Sequence, residues 1–438
     1  MSSNSQFNAR SLRAVWHPCT QMKAHEDLPL IPIARGKGAW LYDFEGNAYL
    51  DAISSWWVNL FGHANERIAG AISRQASELE HVILAGFTHQ PVVELSERLS
   101  ALTGLTHCFY ASDGSSAVEI ALKMSFHYWR NAGKAAKTKY VCLQGSYHGE
   151  TLGALSVSDV ALFRDIYEPL LNRVETVPSP DWRSGGKDET AVEIARRAAA
   201  ALDAHLTQHH AEIAAIILEP LVQCASGMQM YDAEYLRLAR AACDRHQVHL
   251  IADEIAVGFG RTGSFSACEQ AGIRPDFLCL SKGITGGFLP LSVVLTRDEV
   301  FAAFYDDKLT RGFLHSHSYT GNPIACSAAL AVLDIFKQDA VIEANRFKRR
   351  TLSRLCKPIE LHPRVRNWRN TGMIWAFDVD SDDDGFRRRF YDAALRNRVL
   401  LRPLGNTVYF MPPYILEGEE MELLVGATIA ALDEALPA

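Results

Sequence analysis

The length and composition of the chain restrict the kinds of protein it can be. It has 438 residues, of which 48% are hydrophobic and 22% charged, an ordinary balance for a globular enzyme. This length exceeds the size at which one hydrophobic core stops growing, so we expect a large domain and a smaller one. The net charge of −7 argues against nucleic acid or an anionic membrane as the main partner.

The N-terminus, the cysteines and the histidines exclude further classes. Residues 1–15 lack an apolar stretch of signal-peptide length, and no run of about 18 apolar residues occurs. The nine cysteines form no CxxC pair. The sequence His315-Ser316-His317 has too few neighbouring ligands for a metal, so no metal is expected. The expected location is the cytoplasm, where cysteines stay reduced.

In chain order, a hairpin is the first predicted element, with two short strands in residues 39–50 around a turn at 43–47. From about residue 65, helices alternate with short, continuous apolar runs. Such runs suit strands that are buried on both faces of a mostly parallel sheet. The runs are residues 107–110, 140–143, 213–218, 249–252, 277–280 and 292–295.

Helices and a final lobe complete the predicted architecture. Residues 117–130 and 233–246 fit crossover helices, and a compact mixed pattern begins after about residue 335. We therefore expect an α/β fold in which a mostly parallel sheet has helices on both faces, with a smaller α+β domain beside it. The predicted domains are residues 65–334 (large), residues 335–438 (small) and residues 1–64, which join the small domain.

A lysine follows one of the predicted strands directly. Lys282 lies between the apolar run 277–280 and the glycine-rich turn 283–287. In open α/β sheets, ligands bind beyond the carboxyl ends of the strands. A lysine that is partly desolvated there can have its pKa lowered and can attack a carbonyl group. Taken alone, Lys282 would more often be an exposed residue at the start of a loop, by roughly four to one.

An acid at the end of another strand favours a functional role for Lys282. Asp253 follows the apolar run 249–252, 29 residues before Lys282. Pyridoxal phosphate needs a lysine for its Schiff base and a carboxylate that keeps its pyridine nitrogen protonated. The pair of Lys282 and Asp253 therefore predicts this cofactor, although a strand-end acid can also cap a helix.

A phosphate site and an aromatic residue are expected beside this pair. Gly114 and Ser115 open a predicted helix, where a close backbone approach, a hydroxyl and the helix N-terminus favour an anion. Plain helix capping explains the same residues, and Asp113 would repel a phosphate unless it points away. Tyr147 follows a strand and can stack on a cofactor ring, whereas His148 could be structural.

Two familiar motifs carry little weight here. Residues 258–263 match the dinucleotide pattern G-x-G-x-x-G, but they lie in mid-chain, directly after the acids Asp253 and Glu254. Those acids would lie close to a pyrophosphate, so a nicotinamide enzyme is disfavoured. The pattern Gly-x-Ser-x-Gly is absent, so a serine hydrolase has no nucleophile elbow.

Together these motifs resemble the class III aminotransferases, of fold type I, over about residues 16–414. The pair Trp56-Trp57 and the segment Met411-Pro412-Pro413-Tyr414 are similar to the branch of the family that aminates 8-amino-7-oxononanoate in biotin biosynthesis. The other matching motifs are Trp16-His17-Pro18, Gly114-Ser115, Tyr147-His148-Gly149, Asp253-Glu254, Gly260-Arg261-Thr262-Gly263, Ser281-Lys282-Gly283, Gly321-Asn322-Pro323 and Arg402-Pro403.

The resemblance implies roles for the residues of the cofactor site. Lys282 would form the Schiff base with pyridoxal 5'-phosphate and would be catalytic, and Asp253 would be the partner of the pyridinium nitrogen. Gly114 and Ser115 would hold the phosphate. Tyr147 would cover the ring, line the substrate pocket and take part in catalysis.

The resemblance also implies a homodimer with active sites at its interface. In this family, a hydroxyl residue just before Gly-Asn-Pro reaches the phosphate of the neighbouring subunit. Ser318 holds that position here, with His317 beside it in the cofactor site and Ser316 near the substrate. Trp56 would contact the keto substrate and Arg402 its distal carboxylate. Without the resemblance, Arg402 would be read as a surface charge.

The implied reaction converts 8-amino-7-oxononanoate to 7,8-diaminononanoate, with S-adenosylmethionine as amino donor. Family members that use this donor have a tyrosine after Trp-His-Pro, and relatives that use lysine have a different aromatic residue. This chain has Cys19 at that substrate-facing position, and a thiol does not replace a phenol's reach or hydrogen bond. Lysine as donor therefore stays open, as does another class III reaction on ω-amino acids or diamines.

Overall fold

The chain divides into two compact units. The computed structural model describes residues 3–28, 30–172 and 174–436. The terminal unit comprises Met1–Glu66, Lys348–Trp368 and Phe377–Ala438, and the central unit comprises Arg67–Phe347 and Arg369–Ala376. The domain boundaries expected at residues 64 and 334 stay a prediction, and their outermost residues 1, 2, 437 and 438 lie outside the described part.

A seven-stranded sheet forms the middle of the central unit. Six strands run in one direction, and Ser292–Thr296 runs antiparallel to both of its neighbours. The mostly parallel α/β fold is therefore confirmed. The order across the sheet is His107–Ala111, Ser292–Thr296, Phe277–Leu280, His249–Asp253, Ile213–Leu218, Lys139–Leu143 and Glu175–Val177.

The continuous apolar runs become strands because both faces of the sheet are covered. Every residue of Ile213–Leu218, Phe277–Leu280 and Ser292–Thr296 is buried. The helix Gly114–Asn131 packs Ala117, Val118 and Ala121 into one apolar core with residues of these strands. This packing fixes the carboxyl ends of the strands, which carry the residues of interest.

The terminal unit contains the predicted hairpin. Trp40–Asp43 pairs antiparallel with Ala48–Asp51. Ile33–Lys37 adds a strand on one side of this pair, and Val399–Leu400 adds one on the other. A separate three-stranded sheet has the strands Val365–Thr371, Ile374–Val379 and Thr407–Phe410.

The remaining elements connect these sheets. The short strands Val222–Gln223 and Gln229–Met230 form a separate ladder. No helix within the described residues is both long and apolar enough to span a membrane. The α-helices are Asn4–Ala14, Glu66–Glu78, Gln90–Thr103, Gly114–Asn131, Leu152–Ser156, Ala161–Arg164, Ala191–His209, Glu234–His246, Asp298–Ala302, Pro323–Gln338, Val341–Leu355, Lys357–Glu360, Phe386–Arg396 and Gly418–Ala435. Single 3-10 turns occur at Met22–Glu26, Asp165–Leu170, Trp182–Ser184, Ala267–Ala271, Lys282–Thr285 and Leu309–Arg311.

Candidate active site

Four neighbouring strands of the central sheet carry polar residues at one edge. The register sets Leu218 beside Ala252 and Asp253 beside Cys279. Because parallel strands end at the same edge, the residues that follow them come together, where ligands bind in such sheets. In order across the sheet, these residues are Tyr147 with His148, then Glu219, then Asp253, then Lys282.

Lys282 opens the 3-10 turn Lys282–Thr285 with a φ of +41°. The preceding Ser281 anchors this backbone, because its Oγ donates to the carbonyl of Leu291 at 2.8 Å. Burial lowers the pKa of the Lys282 amine, and the charge of Asp253 is the largest influence opposing that decrease. The amine therefore loses its proton more readily than an exposed lysine would, as a nucleophile requires.

Asp253 is held rigidly by two donors. The Oδ2 atom of Asp253 lies 2.7 Å from Nδ1 of His148, and Oδ1 accepts the backbone N–H of Ile255 at 3.0 Å. Both side chains of the Asp253–His148 pair are almost fully buried. The sequence leaves His148 as a possible structural residue, and the structure assigns it a definite contact with the predicted cofactor carboxylate.

Glu219 is a further acid at this edge, and the sequence analysis does not single it out. Its Oε2 accepts the backbone N–H of Tyr147 at 3.2 Å, and its Oε1 accepts that of Cys224 at 3.0 Å. Burial, followed by the charge of Asp253, raises the pKa of Glu219 to about 8. The signal was available, since Glu219 follows an apolar run just as Asp253 does.

The predicted phosphate residues lie at the start of the helix Gly114–Asn131. Asp113 caps this helix, since its Oδ1 accepts the backbone N–H of Ser116 at 2.9 Å, so its carboxylate turns onto its own helix. A Cβ atom on Gly114 would lie 3.0 Å from the side chain of Ile255, and one on Gly149 would lie 2.1 Å from Oγ of Ser115. This close backbone approach at a helix N-terminus fits a phosphate group.

Tyr147 is half-buried at the same edge of the sheet. Its hydroxyl donates to Oε1 of Glu150 at 2.9 Å, and its ring lies 5.4 Å from the ring of Phe163. The central unit therefore brings together five of the predicted residues, which are Gly114, Ser115, Tyr147, Asp253 and Lys282. Their donors, acceptors and burial fit a phosphorylated pyridine aldehyde.

The terminal unit brings together three predicted substrate residues. The guanidinium carbon of Arg402 lies 5.1 Å from the ring centre of Trp56, a cation–π distance. The Nη2 atom of Arg402 donates to the backbone carbonyl of Cys19 at 3.0 Å. Cys19 therefore contacts Arg402 through its backbone, whichever side chain it carries.

A cavity of about 500 Å³ lies beside Cys19 and Arg402 in this unit. Its volume falls in the ~300–1,000 Å³ range of small-molecule sites. Arg387 and Arg388 also line it, and none of its described lining residues is acidic. Its aliphatic wall includes Leu28, Leu30, Ile31, Ile33, Leu395 and Leu400. The combination suits a ligand with an apolar chain and a negative end.

Trp56 is presented by an unusual single turn, Ser54–Trp57, whose four residues all have a positive φ between 44° and 74°. The carboxylate of Asp51 accepts both the N–H and the hydroxyl of Ser55, at 2.9 and 2.7 Å. The hydroxyl of Ser54 donates to the carbonyl of Met411 at 2.7 Å. Left-handed backbone in such residues persists only where the surroundings hold it, and this occurs mainly at functional sites.

The remaining predicted residues lie in an irregular segment of the central unit. Ser316 and Ser318 are exposed, and the backbone N–H of His317 donates to Oγ1 of Thr320 at 3.2 Å. Within the described residues, no hydrogen bond is recorded from Ser316, His317 or Ser318 to the phosphate residues. Their roles stay predictions.

Known proteins resemble the chain over its full length. Residues 21–432 match the family model described as aminotransferase class-III. The chain is 47% identical over 442 residues to the adenosylmethionine-8-amino-7-oxononanoate aminotransferase of Helicobacter pylori, with 99% of each chain covered.

Two solved structures have nearly the same fold. The adenosylmethionine-8-amino-7-oxononanoate aminotransferase of Methanocaldococcus jannaschii has a TM-score of 0.92 at 33% identity, with 99% of each chain covered. A PLP-bound amine transaminase from an uncultivated Pseudomonas species has a TM-score of 0.91 at 32% identity, covering 96% of this chain and 99% of the other. Because the two scores are so close, the fold does not separate the two activities.

Replacing Glu219 with glutamine is expected to change how stability depends on pH. The carboxyl of Glu219 keeps its proton up to about pH 8 when folded, because burial raises its pKa from 4.5. Above pH 4.5 this carboxyl ionises in the unfolded chain but stays protonated in the folded protein. The contribution of Glu219 to the free energy of unfolding is therefore highest below pH 4.5 and decreases as the pH rises to about 8. Urea unfolding should show Glu219→Gln gaining stability relative to wild type between about pH 5 and 8.

Glu189→Gln is the control for this measurement. The hydrogen bond from Arg197 lowers the pKa of Glu189, so this carboxylate is ionised in both states above about pH 5. Its stability difference from wild type should stay constant over the range. A constant difference for Glu219→Gln as well would contradict a proton on Glu219.

Proposed function

Because this chain belongs to the class III aminotransferase family, we propose that it converts 8-amino-7-oxononanoate to 7,8-diaminononanoate, with S-adenosylmethionine as amino donor. Aminotransferases of this class use pyridoxal phosphate. The observation that carries the choice of acceptor is the group of Trp56 and Arg402 beside an apolar, basic cavity. The full-length identity of 47% to a relative named for this acceptor supports the same choice.

The residues at the edge of the central sheet are proposed to bind the cofactor and move protons. When bound, pyridoxal phosphate supplies an electron-accepting ring that stabilises negative charge on the donor's α carbon. Lys282 would hold the cofactor covalently and, once the donor amine displaces it, would move the proton at that carbon. Asp253, fixed by His148, would keep a negative charge for the pyridine nitrogen.

Gly114 and Ser115 would hold the phosphate, and Tyr147 would cover the ring. The helix N-terminus and the close approach of Gly114 to Ile255 support the first role. The half-buried position of Tyr147 beside Glu219 supports the second. These assignments leave Lys282 as the group that exchanges a proton with the substrate.

The acceptor carries an unreactive carboxylate at the end of a saturated chain. Arg402 would pair with this carboxylate, since a planar guanidinium suits bidentate binding. Trp56 would contact the chain, and the aliphatic wall of the cavity would exclude water from it. Cys19, Ser316 and Tyr147 would complete the substrate contacts.

A homodimer in the cytoplasm is the proposed form of the enzyme. Large apolar side chains of the central unit are exposed, which is a feature of association surfaces. They include Leu162, Ile166, Leu170, Leu309 and Leu314. Leu309 and Leu314 lie shortly before His317 and Ser318 in the chain, which supports the proposal that these residues reach the phosphate of the neighbouring subunit.

The alternative is another class III reaction, on ω-amino acids or diamines. The TM-score of 0.91 to an amine transaminase favours keeping this alternative. A diamine has no carboxylate for Arg402 to bind, whereas an ω-amino acid has one, so the cation disfavours only the diamine. The acceptor specificity therefore separates the two proposals.

The direct experiment tests donors and acceptors separately. We expect S-adenosylmethionine with 8-amino-7-oxononanoate to give 7,8-diaminononanoate by mass spectrometry, with ping-pong kinetics. Lysine replaces S-adenosylmethionine in a second reaction, and pyruvate replaces the acceptor in a third. Turnover with lysine alone would overturn only the donor, whereas turnover with pyruvate alone would overturn the acceptor.

Lys282→Ala should abolish the change in visible absorbance that follows addition of the donor. A lost general acid–base group costs on the order of 10²- to 10⁴-fold in kcat, and the loss of the covalent link adds to this. Stopped-flow absorbance of the donor half-reaction measures the effect. Lys187→Ala, at an exposed loop residue, is the control, and an unaltered response in Lys282→Ala would contradict the assignment.

Arg402→Ala should lower kcat/KM for the acceptor by roughly 10- to 100-fold, because a charged hydrogen bond to the carboxylate is lost. The donor half-reaction should keep its rate. When the methyl ester replaces the acceptor, kcat/KM of the wild type should fall by a similar factor. The kcat/KM of Arg402→Ala should be the same for the ester as for the acid. Arg366→Ala, which breaks an exposed pair with Asp380, is the control.

If the substitution Arg402→Ala lowered kcat/KM by the same factor for the acid and for its methyl ester, Arg402 would act on something other than the carboxylate. The same conclusion would follow if Arg366→Ala lowered kcat/KM as much as Arg402→Ala.

A further inference from the structure

Glu219 is a buried carboxyl group that the proposed reaction does not use. It is only 5% exposed and follows the strand Ile213–Leu218, between the strand that bears Asp253 and the strand that precedes Tyr147. Its two carboxyl oxygens accept one backbone N–H each, from Tyr147 and from Cys224. One side chain therefore ties together two loops at the edge of the sheet.

The loop that carries Tyr147 needs such an anchor. Gly145 and Gly149, on either side of Tyr147, have φ values of +69° and +124°. Glycine has little conformational preference, so the backbone of this loop is not fixed by its own sequence. Contacts from outside must therefore help to fix it, and Glu219 supplies one at the backbone N–H of Tyr147.

We propose that Glu219 is a positioning residue, which holds Tyr147 in place over the cofactor through the N–H of that residue. The inference rests on the proposed role of Tyr147, and it does not depend on which acceptor the enzyme uses. Through the hydrogen bond from the N–H of Cys224, Glu219 also holds the turn between Val222–Gln223 and Gln229–Met230. Glu219 thus acts on the reaction through the loops that it holds.

The surroundings of Glu219 decide which substitution tests this proposal. Among the described residues, the titratable groups that face the carboxyl are Asp253, Lys282, Cys224 and Tyr231. The hydroxyl of Tyr231 donates to the backbone carbonyl of Glu219. Burial raises the pKa of Glu219 to about 8, so the carboxyl is neutral at pH 7. Glutamine is also neutral, so Glu219→Gln at pH 7 alters hydrogen bonding and leaves the charge unchanged.

Glu254→Gln is the matched control. Glu254 is also fully buried, and burial raises its pKa as well. It accepts the backbone N–H groups of Ala267 and Cys268, both at 2.8 Å. These donors belong to a turn that holds none of the proposed site residues. Glu254 also accepts the hydroxyl of Ser266 at 2.7 Å. Both variants therefore remove hydrogen bonds to a buried carboxyl group, and only Glu219→Gln affects the loop of Tyr147.

The experiment compares amide hydrogen exchange and steady-state kinetics in wild type, Glu219→Gln and Glu254→Gln. A glutamine side chain accepts through one oxygen, so one of the two N–H groups loses its acceptor. We expect exchange at Tyr147 or Cys224 to be about tenfold faster in Glu219→Gln, and kcat to fall by about tenfold with a smaller change in KM. Glu254→Gln should leave both readouts unchanged.

Two results would overturn the proposal. One is unchanged exchange at both amides in Glu219→Gln, and the other is an equal loss of kcat in the two variants. If Glu219→Gln does not fold, Glu219→Asp replaces it, because a carboxyl that is one methylene shorter should still speed exchange at Tyr147. Exchange is measured without substrate, so it tests Glu219 even if the proposed reaction proves wrong.

Discussion

Two carboxyl groups and one amine share the buried edge of the central sheet, and their charges constrain everything around them. Asp253 and Glu219 end adjacent strands, and two ionised acids so close in a buried place repel each other strongly. The two carboxyl groups differ in their surroundings. Asp253 has His148 and the N–H of Ile255, whereas burial raises the pKa of Glu219 to about 8. Because burial favours the protonated form of Glu219, Asp253 is the carboxyl group that would serve as the partner of a pyridinium nitrogen beside Lys282.

Sequence reasoning located part of this arrangement, for a physical reason. Continuous apolar runs of four to six residues suit a strand covered on both faces, so the strand ends, and with them Lys282 and Asp253, could be predicted. Glu219 also follows such a run, but the contacts of Glu219 and His148 could not be predicted in this way. A polar residue after a strand has the same local signature whether it caps a helix or meets an acid from another strand, and only the order of strands in the sheet decides between these. The helix Asn4–Ala14 was missed because its residues are mostly polar and none of them is buried.

The two units carry different kinds of chemistry. The residues gathered in the central unit suit a cofactor that the whole family shares, whereas Cys19, Trp56 and Arg402 in the terminal unit suit recognition of a particular acceptor. This division agrees with the nearly equal TM-scores to an enzyme named for 8-amino-7-oxononanoate and to an amine transaminase. The fold supports the chemistry that they have in common, and a few side chains select among substrates.

The left-handed turn Ser54–Trp57 has a consequence for how the protein matures. Residues in such conformations cost of order 1–3 kcal/mol each, so this turn is unstable until other parts of the chain hold it. Asp51 lies only a few residues away, but the carbonyl that accepts from Ser54 belongs to Met411, which is synthesised 357 residues later. The turn therefore gains this contact only after Met411 has been synthesised and has folded beside it, so residues from both ends of the sequence are needed to present Trp56.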